Sequence, residues 1–179
     1  MARFLTLTAA VLIAFGVATT ARAEGPAVFS RGSWSMELFG SGSFASKGEI
    51  YSGHVGASYY FVDHVALSLQ ASVGRIRSGV GEDATVGALD LLIRHHLLRG
   101  DGWTLFIEGG AGIQRASERF PETHFNFRPQ GGVGMTLQLR EDMHLITGVR
   151  HLHISNAGRS SPNVGYEGIM PYLGVSLQF

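Results

Sequence analysis

The chain has 179 residues, 25 glycines, no cysteine and a formal net charge of zero with histidine neutral. That length suits a single domain, and the missing cysteines exclude a disulfide framework and a thiolate metal site. The charge balance supplies no basic excess for binding phosphates, so no nucleic-acid partner is expected.

At the N-terminus, Arg3 precedes an apolar run from Phe4 to Ala18, and Ala21-Arg22-Ala23 has small residues at both positions a signal peptidase reads. The run is shorter than the roughly 20 residues of a spanning helix. Residues 1–23 are therefore expected to be a cleaved signal peptide, and residues 24–179 the exported domain.

Beyond Glu24 the apolar residues alternate, the period of a strand with unlike faces. Eight such segments follow, at 33–45, 49–61, 64–76, 84–98, 103–115, 125–139, 143–156 and 165–179. Most exceed a globular strand of about five or six residues and suit a tilted transmembrane strand of about ten. Their connections alternate in kind. Val62-Asp63, Gly100-Asp101-Gly102 and Arg140-Glu141-Asp142 read as tight turns, whereas Lys47-Gly48, Arg77 to Asp83, Ala116 to Thr123 and Ala157 to Val164 read as more polar loops. Long loops at one rim and short turns at the other predict an all-β fold: an eight-stranded antiparallel transmembrane β-barrel of the outer-membrane type.

The two faces agree. In the third segment Val65, Leu67, Leu69, Ala71 and Val73 alternate with Ala66, Ser68, Gln70, Ser72 and Gly74. Asp90, Arg94, Glu108, Arg128 and Arg150 fall on the small-sided polar set, which predicts a charged, hydrogen-bonded interior in which each group needs a partner. Gly110, Gly112, Gly132 and Gly134 relieve crowding there. The outward set carries Tyr51, Tyr59, Phe61 and Trp103 near segment ends, as aromatic girdles do. A soluble lipocalin-type barrel would invert these faces. The bulky apolar set needs the larger outer circumference, and that favours the membrane barrel.

The last strand pair carries the chemistry. His153 and Ser155 are two apart, so they share a face about 6.6 Å apart along an extended strand. A hairpin centred near Ser160 sets Glu167 opposite His153, with Cβ atoms about 5 Å apart. Serine, histidine and carboxylate are the parts of an acyl-transfer triad: Ser155 as nucleophile, His153 as base and Glu167 as the group that orients the imidazole. Parity puts all three on the lipid-facing side, at the loop-side rim where ester bonds join acyl chains to a head group. Asn156 and the N–H groups of Ala157 and Gly158 are available donors for an oxyanion. His151 and His153 form a same-face pair, but no third ligand accompanies them, so no metal site is expected. Protonation of His153 would remove the base, so activity is expected to fall in acid.

At these residues the chain resembles the outer-membrane lipid A 3-O-deacylases of the PagL family. The match is carried by His153-Ile154-Ser155-Asn156-Ala157-Gly158, Pro162-Asn163-Val164-Gly165, Glu167 and the terminal strand ending in Phe179. The resemblance implies hydrolysis of the ester-linked 3-hydroxyacyl chain at position 3 of lipid A, without a cofactor. It assigns Ser155, His153 and Glu167 as the triad, Asn156 and Gly158 to the oxyanion hole, and Asn163 to supporting the loop. Lipopolysaccharide is then the substrate, the outer-membrane lipids of a Gram-negative cell are the surroundings, and a homodimer is left open. Arg115, Arg119 and Arg159 are candidates for lipid A phosphates by charge and rim position, or are ordinary solvated loop charges. A phospholipase or acyltransferase with the same triad, and a passive structural barrel, are the competing functions.

Overall fold

The structure is a computed structural model describing residues 28–179. The expected signal peptide lies outside the described residues. Among the described residues there are nine strands: β1 (Trp34–Ala45), β2 (Gly48–Val62), β3 (Val65–Ser78), β4 (Ala84–Gly100), β5 (Trp103–Ala116), β6 (Phe125–Phe127), β7 (Gln130–Arg140), β8 (Met143–Ile154) and β9 (Tyr166–Gln178). All pair antiparallel with their neighbours, and β1 closes the ring by pairing with β9. Closure leaves no strand edge to be satisfied by lipid, which offers no hydrogen bonds.

The sixth sequence segment, expected to be continuous over 125–139, is instead divided into β6 and β7 at Arg128-Pro129. Pro129 has no N–H to give, so the ladder to β5 skips it. The register survives the gap: Ile113 faces Phe127 on one side of it and Gly110 faces Gln130 on the other. Arg128 and Gly112 exchange backbone hydrogen bonds of 2.9 and 3.2 Å between them. β6 and β7 thus occupy one place in a ring of eight.

The turns at one end are two residues each, 63–64, 101–102 and 141–142, and the loops at the other are 46–47, 79–83, 117–124 and 155–165. Below these loops the outside is apolar, with Leu67, Leu69, Leu91, Ile93, Ile107, Val133, Ile169 and Leu173 exposed. The inside is polar and charged. Arg94 bridges Glu37 and Glu108, and Arg150 bonds Glu108 at 2.7 Å, Gln70 at 3.0 Å and Gln130 at 3.1 Å. Tyr172 donates to the same Glu108 at 2.6 Å, and Arg128 lies 3.0 Å from Asp90. This is the inverse of a soluble lipid-binding barrel. Glu37, central to the network, is the interior charge that the reading of the strands did not single out.

A cap of buried side chains closes the loop end: Ile50, Ile76, Val86, Phe120, Leu152, Ile154, Tyr166 and Met170. Phe120 comes from the 117–124 loop and packs on Tyr166 with ring centroids 5.4 Å apart. Asn126 Nδ2 fixes that loop by donating to the carbonyls of Phe120 and Thr123, both at 2.8 Å. The loops are therefore seated on the barrel mouth, beside the ends of β8 and β9.

Candidate active site

The alternation of β8 turns His151 and His153 outward while Leu152 and Ile154 go into the cap. On β9 the same period turns Glu167 and Ile169 outward between Tyr166, Gly168 and Met170. His153 and Glu167 are direct cross-strand partners, the register expected from a hairpin centred near Ser160. His153 Nδ1 is hydrogen-bonded to Glu167 Oε1. Two acceptors would repel at such an approach, so the ring proton belongs on Nδ1 and Nε2 is left as an acceptor. The carboxylate's second oxygen, Oε2, lies 2.9 Å from His151 Nε2.

Ser155 differs from expectation in one respect. The sequence reading placed it on the open lipid face, but it is only 8% exposed, against 35% for the His153 side chain and 56% for Glu167. β8 has ended at Ile154, and Ser155 forms an isolated bridge with Phe127 through hydrogen bonds of 2.8 and 3.1 Å. Residues paired this way share a face, so Ser155 lies on the same side of the sheet as Phe127. It remains beside the histidine. A Cβ added at Gly165 would stand 3.2 Å from His153 Cε1 and 3.7 Å from Ser155 Cβ, so ring and serine converge on one small space. Among the described residues no hydrogen bond engages the Ser155 hydroxyl, and it is not among the occluded polar atoms.

The loop after Ser155 is braced from within. Asn156 Nδ2 donates to Ser160 O and Oγ, both at 3.0 Å, and to Pro162 O at 3.2 Å. The side chain expected to face an oxyanion is directed into its own loop. Asn163 Oδ1 accepts the Asn156 N–H at 3.1 Å. Ala157 and Gly158 then take left-handed backbone, φ 56° and 74°, and among the described residues their N–H groups have no hydrogen-bond partner. Two unpartnered N–H groups in succession are available as hydrogen-bond donors.

Two other loops grip the far end of this segment. Lys47 Nζ donates to the Gly165 carbonyl, and the Gly165 N–H donates to Glu122 Oε1 at 3.2 Å. Lys47 and Glu122 are themselves 3.5 Å apart. Nothing local in the sequence points to this pair. Arg115, Arg119 and Arg159 are exposed at the loop-side rim, and none forms an ion pair among the described residues. No group of three His, Cys, Asp or Glu among the described residues is disposed to hold a metal ion.

The family model described as lipid A 3-O-deacylase (PagL) matches residues 15–176. The chain belongs to the PagL family. Among solved structures, the outer membrane enzyme PagL superposes with a TM-score of 0.66 at 19% identity, over 79% of this chain and 98% of that one. Neisserial surface protein A is similar at TM-score 0.64 and 12% identity, over 82% of this chain and 96% of its own. The N-terminal β-barrel domain of Pseudomonas aeruginosa OprF gives 0.58 at 20% identity, over 83% and 98%. No curated protein matches at the sequence level. At such identities the superpositions speak for the outer-membrane barrel alone, while PagL membership rests on the family match. This PagL-family protein is an outer-membrane lipid A 3-O-deacylase.

Proposed function

We propose that this deacylase works through Ser155, His153 and Glu167, removing the ester-linked 3-hydroxyacyl chain at position 3 of lipid A. The observation that carries the reading is the cross-strand hydrogen bond between His153 Nδ1 and Glu167, which leaves Nε2 as the free ring nitrogen of a histidine that shares the space at Gly165 with Ser155.

In this reading His153 Nε2 takes the Ser155 proton as Oγ attacks the ester carbonyl carbon. The carbonyl oxygen becomes an oxyanion, which the free N–H groups of Ala157 and Gly158 stabilise. Asn156 contributes by holding those amides in place through its three loop hydrogen bonds. Collapse breaks the bond to the sugar oxygen, which leaves with the proton from His153. A water molecule then surrenders a proton to His153, attacks the acyl-serine and releases the 3-hydroxy fatty acid, restoring Ser155. Glu167 keeps the imidazole in its productive tautomer and stabilises the cation formed in each half-reaction. The site's outward aspect at the rim suits a substrate whose ester lies at the base of the head group, so the lipid need not leave the leaflet. Arg115, Arg119 and Arg159 provide cationic groups near that depth for the substrate's phosphates.

The test is mass spectrometry of lipid A incubated in detergent with the refolded protein, beside a Ser155→Ala variant that folds equally. Loss of one 3-hydroxyacyl chain with the native protein alone supports the reading. Cleavage of phospholipid with lipid A untouched would transfer the triad to another substrate.

A further inference from the structure

Glu167 faces two histidines, and the proposed triad uses one of them. Its Oε1 is taken by His153 Nδ1, while Oε2 stands 2.9 Å from His151 Nε2. At that distance a lone pair on Nε2 would repel the carboxylate, so His151 carries a proton there. The contact follows from register: His151 lies two residues before His153 on the same face of β8, directly opposite Ile169, and reaches Glu167 on the diagonal. Both side chains are open at the rim, 59% and 56% exposed. A carboxylate there has a rotatable stem and a second oxygen that lipid cannot solvate.

We propose that His151 is a positioning residue for the deacylation, holding the Glu167 carboxylate between two imidazoles and making its support of His153 sensitive to protons. The inference rests on Glu167 being the third member of the triad. When His151 is neutral with its proton on Nε2, it fixes the carboxylate plane and leaves the full negative charge available to the His153 cation. When His151 takes a second proton, its positive charge competes for that carboxylate and opposes a second cation on His153. The ionisable groups facing it are His153 on its own strand and Glu167 on β9. β7 presents Gly131 opposite, and its residues 130–133 add no ionisable group.

The experiment compares kcat, KM and the acid limb of the kcat profile for the native protein, His151→Leu and His151→Gln, on lipid A in detergent. Gln keeps an N–H donor at about the Nε2 position and cannot titrate. Leu is expected to lower kcat about fivefold to tenfold with KM little changed, since the lost contact is charge-assisted but partly screened. Gln is expected to recover most of kcat at neutral pH. The native acid limb should depart from a single-proton curve, and the Gln limb should follow one. A Leu variant with native kcat and native acid limb overturns the proposal. So does a Gln variant as slow as Leu whose thermal unfolding midpoint has dropped with it, because that is a packing effect. Ser155→Ala assayed in parallel separates the two ideas: if it keeps native activity, the triad reading fails, whatever His151 does.

Discussion

Ser155 is the residue on which the proposed chemistry turns, and its surroundings make its removal interpretable. It is small, bridged to Phe127 by backbone alone, and its hydroxyl holds nothing together. Ser155→Ala should therefore fold as the native chain does while kcat falls about 10³-fold or more. His153→Ala should cost a similar factor, and the double variant little more than either single one, because nucleophile and base act as a unit. Steady-state kinetics on the three variants checks this, and a multiplicative loss in the double variant would argue that they act separately. The base must be neutral to accept the serine proton. Activity is thus present at neutral pH and lost on acidification, and a profile flat well into the acid range would exclude a histidine base.

Among the elements, three loops of different length share one task. The 46–47 turn and the 117–124 loop supply Lys47 and Glu122, which between them hold the carbonyl and the N–H of Gly165, the residue against which His153 and Ser155 rest. The pair is largely buried, at 25% and 12% side-chain exposure, and removing one partner strands the other's charge. Glu122→Gln or Lys47→Met should loosen the 155–165 loop and reduce kcat about tenfold. The barrel's unfolding midpoint should hardly move, because the strands do not depend on this contact. Kinetics beside thermal unfolding in detergent reads both effects. Gly165→Ala should be worse, since φ is +71° there and the new methyl would press on the His153 ring at 3.2 Å.

At the scale of the whole molecule, Glu37, Arg94, Glu108 and Arg150 form one connected network of charged groups inside the barrel. Arg94 is shared by Glu37 and Glu108, and Arg150 and Tyr172 converge on the same Glu108. Arg94→Met would leave Glu37 without its cation in a lumen closed to water. The expected cost is about 3–5 kcal/mol, read from denaturant unfolding in detergent or lipid. An unchanged midpoint would show that the two carboxylates find other partners or protonate without cost. Export and assembly should be unaffected in kind, since the apolar outer belt is untouched.

Much of this was legible along the chain because strand geometry has a period of two. Once one residue's face is known, the faces of Asp90, Arg94, Glu108, Arg128 and Arg150 follow, and each is buried inside. A hairpin's register follows from its centre, so the pairing of His153 with Glu167 could be read from a local stretch. Parity gave the face of Ser155 but not its exposure: one residue past the end of β8 it still shares a face with Phe127, yet it is only 8% exposed. The Pro129 gap was passed over because the register is the same on both sides. Lys47, Glu122 and Gly165 meet only after β1, β5 and β9 take their places around a closed ring, and Glu37 finds Arg94 across the lumen for the same reason. Covalent neighbours and a two-residue repeat determine which way each side chain points. Which distant side chains it then meets is decided by the curvature and closure of the barrel.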